Sequence, residues 1–132
     1  MGNESRALEE VKPKKDDTIS LTKMLVGMDG KHVKLMEEDE NGKRTSRNMD
    51  VRLAIMLALR QGSRIAEQNK ALSESDKIRC FELGVKVSNE ESSGCTFKLE
   101  DRVLIKRLAN LWLSAEPYGA FLMIFDPTSF DK

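Results

Sequence analysis

Residues Leu99 to Phe125, LEDRVLIKRLANLWLSAEPYGAFLMIF, constrain the fold more than any other stretch. They hold the only Trp, the only Tyr and the densest apolar run of the 132-residue chain. At helical spacing, Leu104, Leu108, Leu111, Trp112 and Ala115 trace one buried face. Arg102, Lys106, Arg107 and Asn110 fall mostly on the other side. Glu100 and Asp101 suit the positive end of a helix dipole. Pro117 reads as the end of this helix, and Tyr118 to Phe125 as a second helix folding back on it. The stretch reads as core rather than as an active site.

The elements upstream are arranged to complete that core. Met49 to Gln61, MDVRLAIMLALRQ, predicts a helix capped by Asn48 or Asp50 and ended at Gly62 by a left-handed residue. Leu53, Met56, Leu57 and Arg60 share one face. Ala54, Ile55, Ala58 and Leu59 make the rest apolar too, so the helix is expected to be sandwiched. Ser63 to Leu72 either extends it or forms a loop. Ser73-Glu74-Ser75-Asp76 is a capping box that starts another helix. Ile78, Phe81 and Val85, with Cys80, Leu83 and Val87 beside them, predict a wide core stripe. Gly84 within it costs about 1 kcal/mol against Ala, which predicts a close helix crossing there.

Before these helices, Asp29-Gly30 and Asn41-Gly42 predict hairpins with type I′ turns. The first joins Leu21–Met28 to Lys31–Met36, and the second leads to a polar edge strand at Lys43–Arg47. Glu37 to Glu40 reads as a solvated end. Residues 1–17 are charged and poor in apolar anchors, which predicts a flexible tail, and 127–132 a short C-terminal one. The expected fold is therefore α+β: a small N-terminal β-hairpin or three-stranded meander packed on a bundle of three to four helices, in one domain over 18–126.

Chemistry-bearing patterns are sparse. The formal net charge is zero, which removes the positive field that non-specific binding to nucleic acid or anionic membranes requires. Aromatics at 5% weaken a stacking platform for single strands. No apolar run reaches bilayer length, and the N-terminus lacks the apolar segment of a signal peptide. Cys80 and Cys95 then read as free thiols, with Cys80 in the core. His32, the only histidine, has no nucleophile or metal ligand at a motif spacing. Glu37 to Asn48 imitates a calcium loop, but Glu37 replaces the first Asp and Asn48 the bidentate Glu. Ser20-Leu21-Thr22-Lys23 matches SxxK without its companion motifs. These readings predict no enzyme, no cofactor and no metal site.

The order of features resembles a group of small, mostly uncharacterised proteins of tailed bacteriophages. The resemblance rests on Met28-Asp29-Gly30-Lys31-His32-Val33, the helix at Lys77 to Val87, Leu99-Glu100-Asp101-Arg102-Val103-Leu104-Ile105-Lys106, and Tyr118-Gly119. It spans about Thr18 to Phe125 and departs at the charged N-terminal arm and the polar Gly42 to Asn48 insert. It implies a small α+β or mainly helical adaptor without catalysis. The expected function is a non-enzymatic protein-binding module, a virion-assembly component, accessory factor or inhibitor of a host protein. Its partner is then a phage structural or host protein, met in the host cytoplasm or the virion. The candidate contacts are Lys43, Arg44 and Arg47 on the hairpin and Arg60 and Arg64 beyond it. The alternative is a small DNA-binding regulator. It reads Leu57 to Leu72 as helix, turn at Gly62-Ser63, and a second helix presenting Arg64, Gln68, Asn69 and Lys70.

Overall fold

A computed structural model of the chain describes residues 18–130; the tail expected at 1–17 lies outside the described residues, as do 131–132. The architecture is α+β, with two small antiparallel strand pairs and four helices among the described residues. Strand β1 (Ile19–Ser20) pairs with β4 (Gly94–Cys95), and β2 (Lys34–Glu38) with β3 (Arg44–Asn48). Helix α1 runs through Val51–Leu57, a wider π turn at Ala58–Gly62, and Ser63–Gln68. Helices α2 (Glu74–Asn89), α3 (Leu99–Trp112) and α4 (Ala115–Phe125) follow, and a 3-10 turn covers Pro127–Phe130.

Both turn dipeptides form turns, but of a longer kind than the type I′ expected. Gly30 N donates to Gly27 O at 3.0 Å and Gly27 N to Lys31 O at 2.8 Å. Gly42 N donates to Asp39 O at 3.0 Å and Asp39 N to Lys43 O at 2.9 Å. Gly30 and Gly42 have φ of 79°, whereas Asp29 and Asn41 stay at negative φ. Each is thus a three-residue loop, a type I turn closed by a left-handed glycine. The aspartates hold these loops: Asp29 Oδ1 accepts from Lys31 N at 3.0 Å, and Asp39 Oδ1 from Asn41 N at 2.9 Å and Lys43 N at 2.8 Å.

The second hairpin is the regular one, in register from Lys34–Asn48 to Glu38–Arg44. The first narrows to a bridge between Val26 and His32. Beneath it Leu25 N donates to Met49 O, Met49 N to Val33 O and Val33 N to Leu25 O, all at 2.9 Å. Three segments so close a ring of backbone bonds. That ring buries Leu25 and Met49 and leaves Met24, Val26 and Met28 on the outside.

Helix α1 starts as the sequence predicts, with Asp50 Oδ1 accepting from Leu53 N at 2.8 Å. It does not end at Gly62, whose φ of −62° and ψ of −41° are helical. A Cβ at Gly62 would lie 2.2 Å from the Leu108 carbonyl oxygen. The glycine is there for space, because α1 crosses α3 at its backbone. The π turn leaves carbonyls short of donors, and Ser63 Oγ serves Leu59 O and Arg60 O. Ser63 N reaches back to Ala58 O. The helix ends at Asn69–Ala71, with Lys70 at φ 55°. Ala71 N bonds to Ala66 O at 2.8 Å and Lys70 N to Glu67 O at 3.0 Å, the paired closure of a Schellman motif.

Against the expected face of α3, the buried residues are Leu104, Ile105, Leu108 and Ala109; Leu111 is exposed and Trp112 half-buried. The helix stops at Trp112, before Pro117. Pro117 instead sits in the first turn of α4, where its missing N–H leaves no bond unmade. Phe121 and Phe125 of α4 stack at 4.8 Å between ring centroids, with Phe97 tilted against Phe125 at 5.8 Å. These rings and the buried faces of α1, α2 and α3 form one core cluster.

Candidate functional site

Helix α2 opens as predicted, with Ser73 Oγ accepting from Asp76 N at 3.1 Å. Its six apolar residues do not form one core stripe. Cys80, Leu83 and Val87 are buried, whereas Phe81 is 74% exposed, Ile78 55% and Val85 43%. At 100° per residue the two sets centre about 160° apart on the helix. So α2 carries a core face and, on its outer side, a second apolar stripe at i, i+3, i+7. The sequence signal was available: an apolar arc that wide exceeds what one flat contact covers.

Phe81 and Val85 of the outer stripe line a groove of about 310 Å³ between α1 and α2. Met56, Leu59 and Arg60 form the α1 wall, and Phe81, Val85 and Ser88 the α2 wall, with Cys80 and Gly84 between. The crossing expected at Gly84 is absent. A Cβ there would meet nothing closer than Met56 Cε at 3.9 Å, so the missing side chain leaves open groove. Past Ser88 the groove continues into a polar hollow that shares Met56, Arg60 and Ser88 and adds Arg47, Asn48, Asp50, Arg52 and Leu53.

Arg52, which sequence reasoning passed over, fixes the walls relative to each other. Its Nη1 donates to Val87 O and its Nη2 to Glu90 O at 2.9 Å. A cation thereby occupies the negative end of the α2 dipole, and the start of α1 is tied to the end of α2. Ser92 hydrogen-bonds Glu90 from its backbone and hydroxyl, which lowers the pKa of that carboxyl.

Of the candidate contacts, Arg47 and Arg60 meet in the polar hollow. Arg47 Nε pairs with Glu37 at 3.1 Å. Arg60 is exposed and makes no ion pair among the described residues. Arg64 is exposed one turn further along α1, while Lys43 and Arg44 lie at the hairpin tip outside the groove. The turn expected at Gly62-Ser63 does not exist, since α1 is helical through both residues. Arg64 and Gln68 therefore belong to the same helix as Leu57. Asn69 and Lys70 lie beyond its end, so no separate helix presents the four residues.

His32 is exposed, its Nδ1 3.3 Å from Asn48 Nδ2. Cys80 and Cys95 are free and buried, and burial pushes both thiols above their ordinary pKa. That lowers the thiolate fraction on which nucleophilic reactivity depends. Among the described residues, no three His, Cys, Asp or Glu side chains are grouped to hold a metal ion. None of their helices is long and apolar enough to cross a membrane. A second hollow, between α2 and α3, includes Leu99 and Val103 but is ringed by Asp76, Arg79, Glu100 and Arg107. Arg107 Nη2 pairs there with Asp76 at 3.1 Å, so its rim charges partly cancel. No protein-family model, curated protein or solved structure matches this chain.

Proposed function

We propose that this domain is a non-enzymatic protein-binding module whose recognition surface is the outer face of α2. One observation carries the reading: Ile78, Phe81 and Val85 form an apolar stripe in solvent on a helix whose opposite face is already buried. Aromatic and aliphatic anchors in such a setting are the usual centre of a protein interface. The resemblance to tailed-phage proteins makes a virion protein or a host protein the class of partner, with the host cytoplasm or the virion as the place.

The test is recovery of partners from bacterial lysate and from phage particles by the wild type, by Phe81→Ser and by a control substituted at exposed Lys31. A stoichiometric protein retained by wild type and control and lost from Phe81→Ser supports the proposal. Identical recovery by all three sinks it, as does retention of nucleic acid alone with steep salt dependence.

A further inference from the structure

We infer, resting on the binding-module reading above, that the occupant of the α1–α2 groove is an acidic amphipathic helix of another protein. Three features lead to this chemistry. First, both walls are helices whose backbone bonds are internal, so the groove has no strand edge for an extended peptide to join. An occupant must satisfy its own backbone, which a helix does. Second, Phe81 and Val85 repeat along the groove at i, i+4 and face Met56 across Gly84. That spacing accepts anchors at i, i+3 or i+4, and i+7 of an incoming helix. The absent side chain at Gly84 gives the approaching backbone room.

The third feature is charge. The apolar groove contains Arg60 and no carboxylate. The adjoining hollow is lined by Arg47, Arg52, Arg60 and Asp50, with Arg47 already paired to Glu37. Arg52 is held by the α2 carbonyls and lies within electrostatic reach of Glu90, so Arg60 is the cation in this region without an ion pair among the described residues. A helix with glutamate or aspartate beside its apolar anchors can pair with Arg60, whereas a basic helix sets like charge against it.

The experiment pans a displayed random-peptide library on the full chain and measures the enriched peptides by fluorescence anisotropy. Enriched peptides are expected to be net negative, with apolar residues at i, i+3 or i+4, and i+7. Their affinity should fall about tenfold or more in Phe81→Ser and in Gly84→Leu, and Arg60→Glu should shift enrichment toward basic sequences. Gly84→Leu fills the groove while adding helix propensity, so a loss there is not a loss of fold. Enrichment of basic or non-periodic peptides overturns the inference, and so does binding indifferent to Phe81 and Gly84. Concentration-dependent self-association abolished by Phe81→Ser makes a second copy the occupant and overturns it. Displacement of the enriched peptides by a peptide of residues 1–17 assigns the groove to the chain's own N-terminus and overturns it likewise. A partner recovered through Phe81 alongside no acidic helix from the library leaves the binding-module reading standing and removes only this inference.

Discussion

Two glycines in neighbouring helices should answer the same substitution with opposite sign. Gly84→Ala places a methyl group in open groove, 3.9 Å from Met56 Cε, an ordinary contact. Nothing offsets the gain in helix propensity of about 1 kcal/mol. For a chain of this size that is a rise in Tm of about 4 °C. Gly62→Ala has the same propensity gain but sets its Cβ 2.2 Å from the carbonyl oxygen of Leu108 and 2.8 Å from its carbon. A side chain can swing aside; the backbone of α3 cannot without moving the helix. Overpacking costs about 1 to 3 kcal/mol in ordinary cores, and contact with backbone places this site at the upper end or beyond. The net loss is about 2 kcal/mol, a fall in Tm of roughly 8 °C. Urea and thermal unfolding followed by far-ultraviolet circular dichroism measure both. A destabilised Gly84→Ala would mean that the tight crossing lies at α2 after all. A Gly62→Ala chain as stable as the wild type would mean that α1 and α3 do not touch at their backbones.

Three further outcomes follow from particular contacts. Arg52→Ala removes two charge-assisted bonds to the end of α2 and should cost about 2 kcal/mol in urea unfolding, with Arg52→Lys recovering only part because one ammonium lacks the guanidinium fork. Lys70→Gly relieves a left-handed backbone at a helix terminus and should stabilise by about 1 kcal/mol; no gain would show that the strain is absent. Asp126 is held at a pKa of about 2 by hydrogen bonds from Lys106, at 2.6 Å, and Thr128, opposed by desolvation. Its folded value lies below the ordinary aspartate value of 3.8. Its contribution is therefore whole above about pH 4 and disappears as pH falls toward 2. Discounted for solvent screening it is about 1 kcal/mol. The stability difference between wild type and Asp126→Asn should shrink across that range, and a pH-independent difference would refute the assignment.

What the sequence made legible was local chemistry. Asp50 and Ser73 cap the helices they precede, because capping depends only on residues within one turn. The two glycine turns and the polar strand β3 were legible for the same reason. The type of turn was not, since two- and three-residue loops place Asp-Gly or Asn-Gly equally well and the ring through Leu25, Val33 and Met49 decides the register. The same glycine chemistry misled at positions 62 and 84. A glycine marks either a backbone that turns or a backbone that is approached. Gly62 suggested the first and does the second, by meeting Leu108 from a distant part of the chain.

The candidate site was hidden by the signal that predicted the core. Periodicity reports that Ile78, Phe81 and Val85 share a face and that Cys80, Leu83 and Val87 share another; it does not say which face the rest of the chain covers. The covering elements are α1 and α3, and their reach depends on the π turn and on the backbone contact at Gly62. With those in place, the described residues bury one face of α2 and leave no element for the other. Isolated exposed apolar residues are ordinary on protein surfaces. A stripe of three, two of which line one groove beside an unneutralised arginine and a glycine that the fold itself does not need for packing, is a different arrangement. The Gly84→Ala measurement therefore bears on function as well as stability: a substitution that strengthens the fold and weakens partner binding would show that the groove, rather than the core, accounts for the glycine.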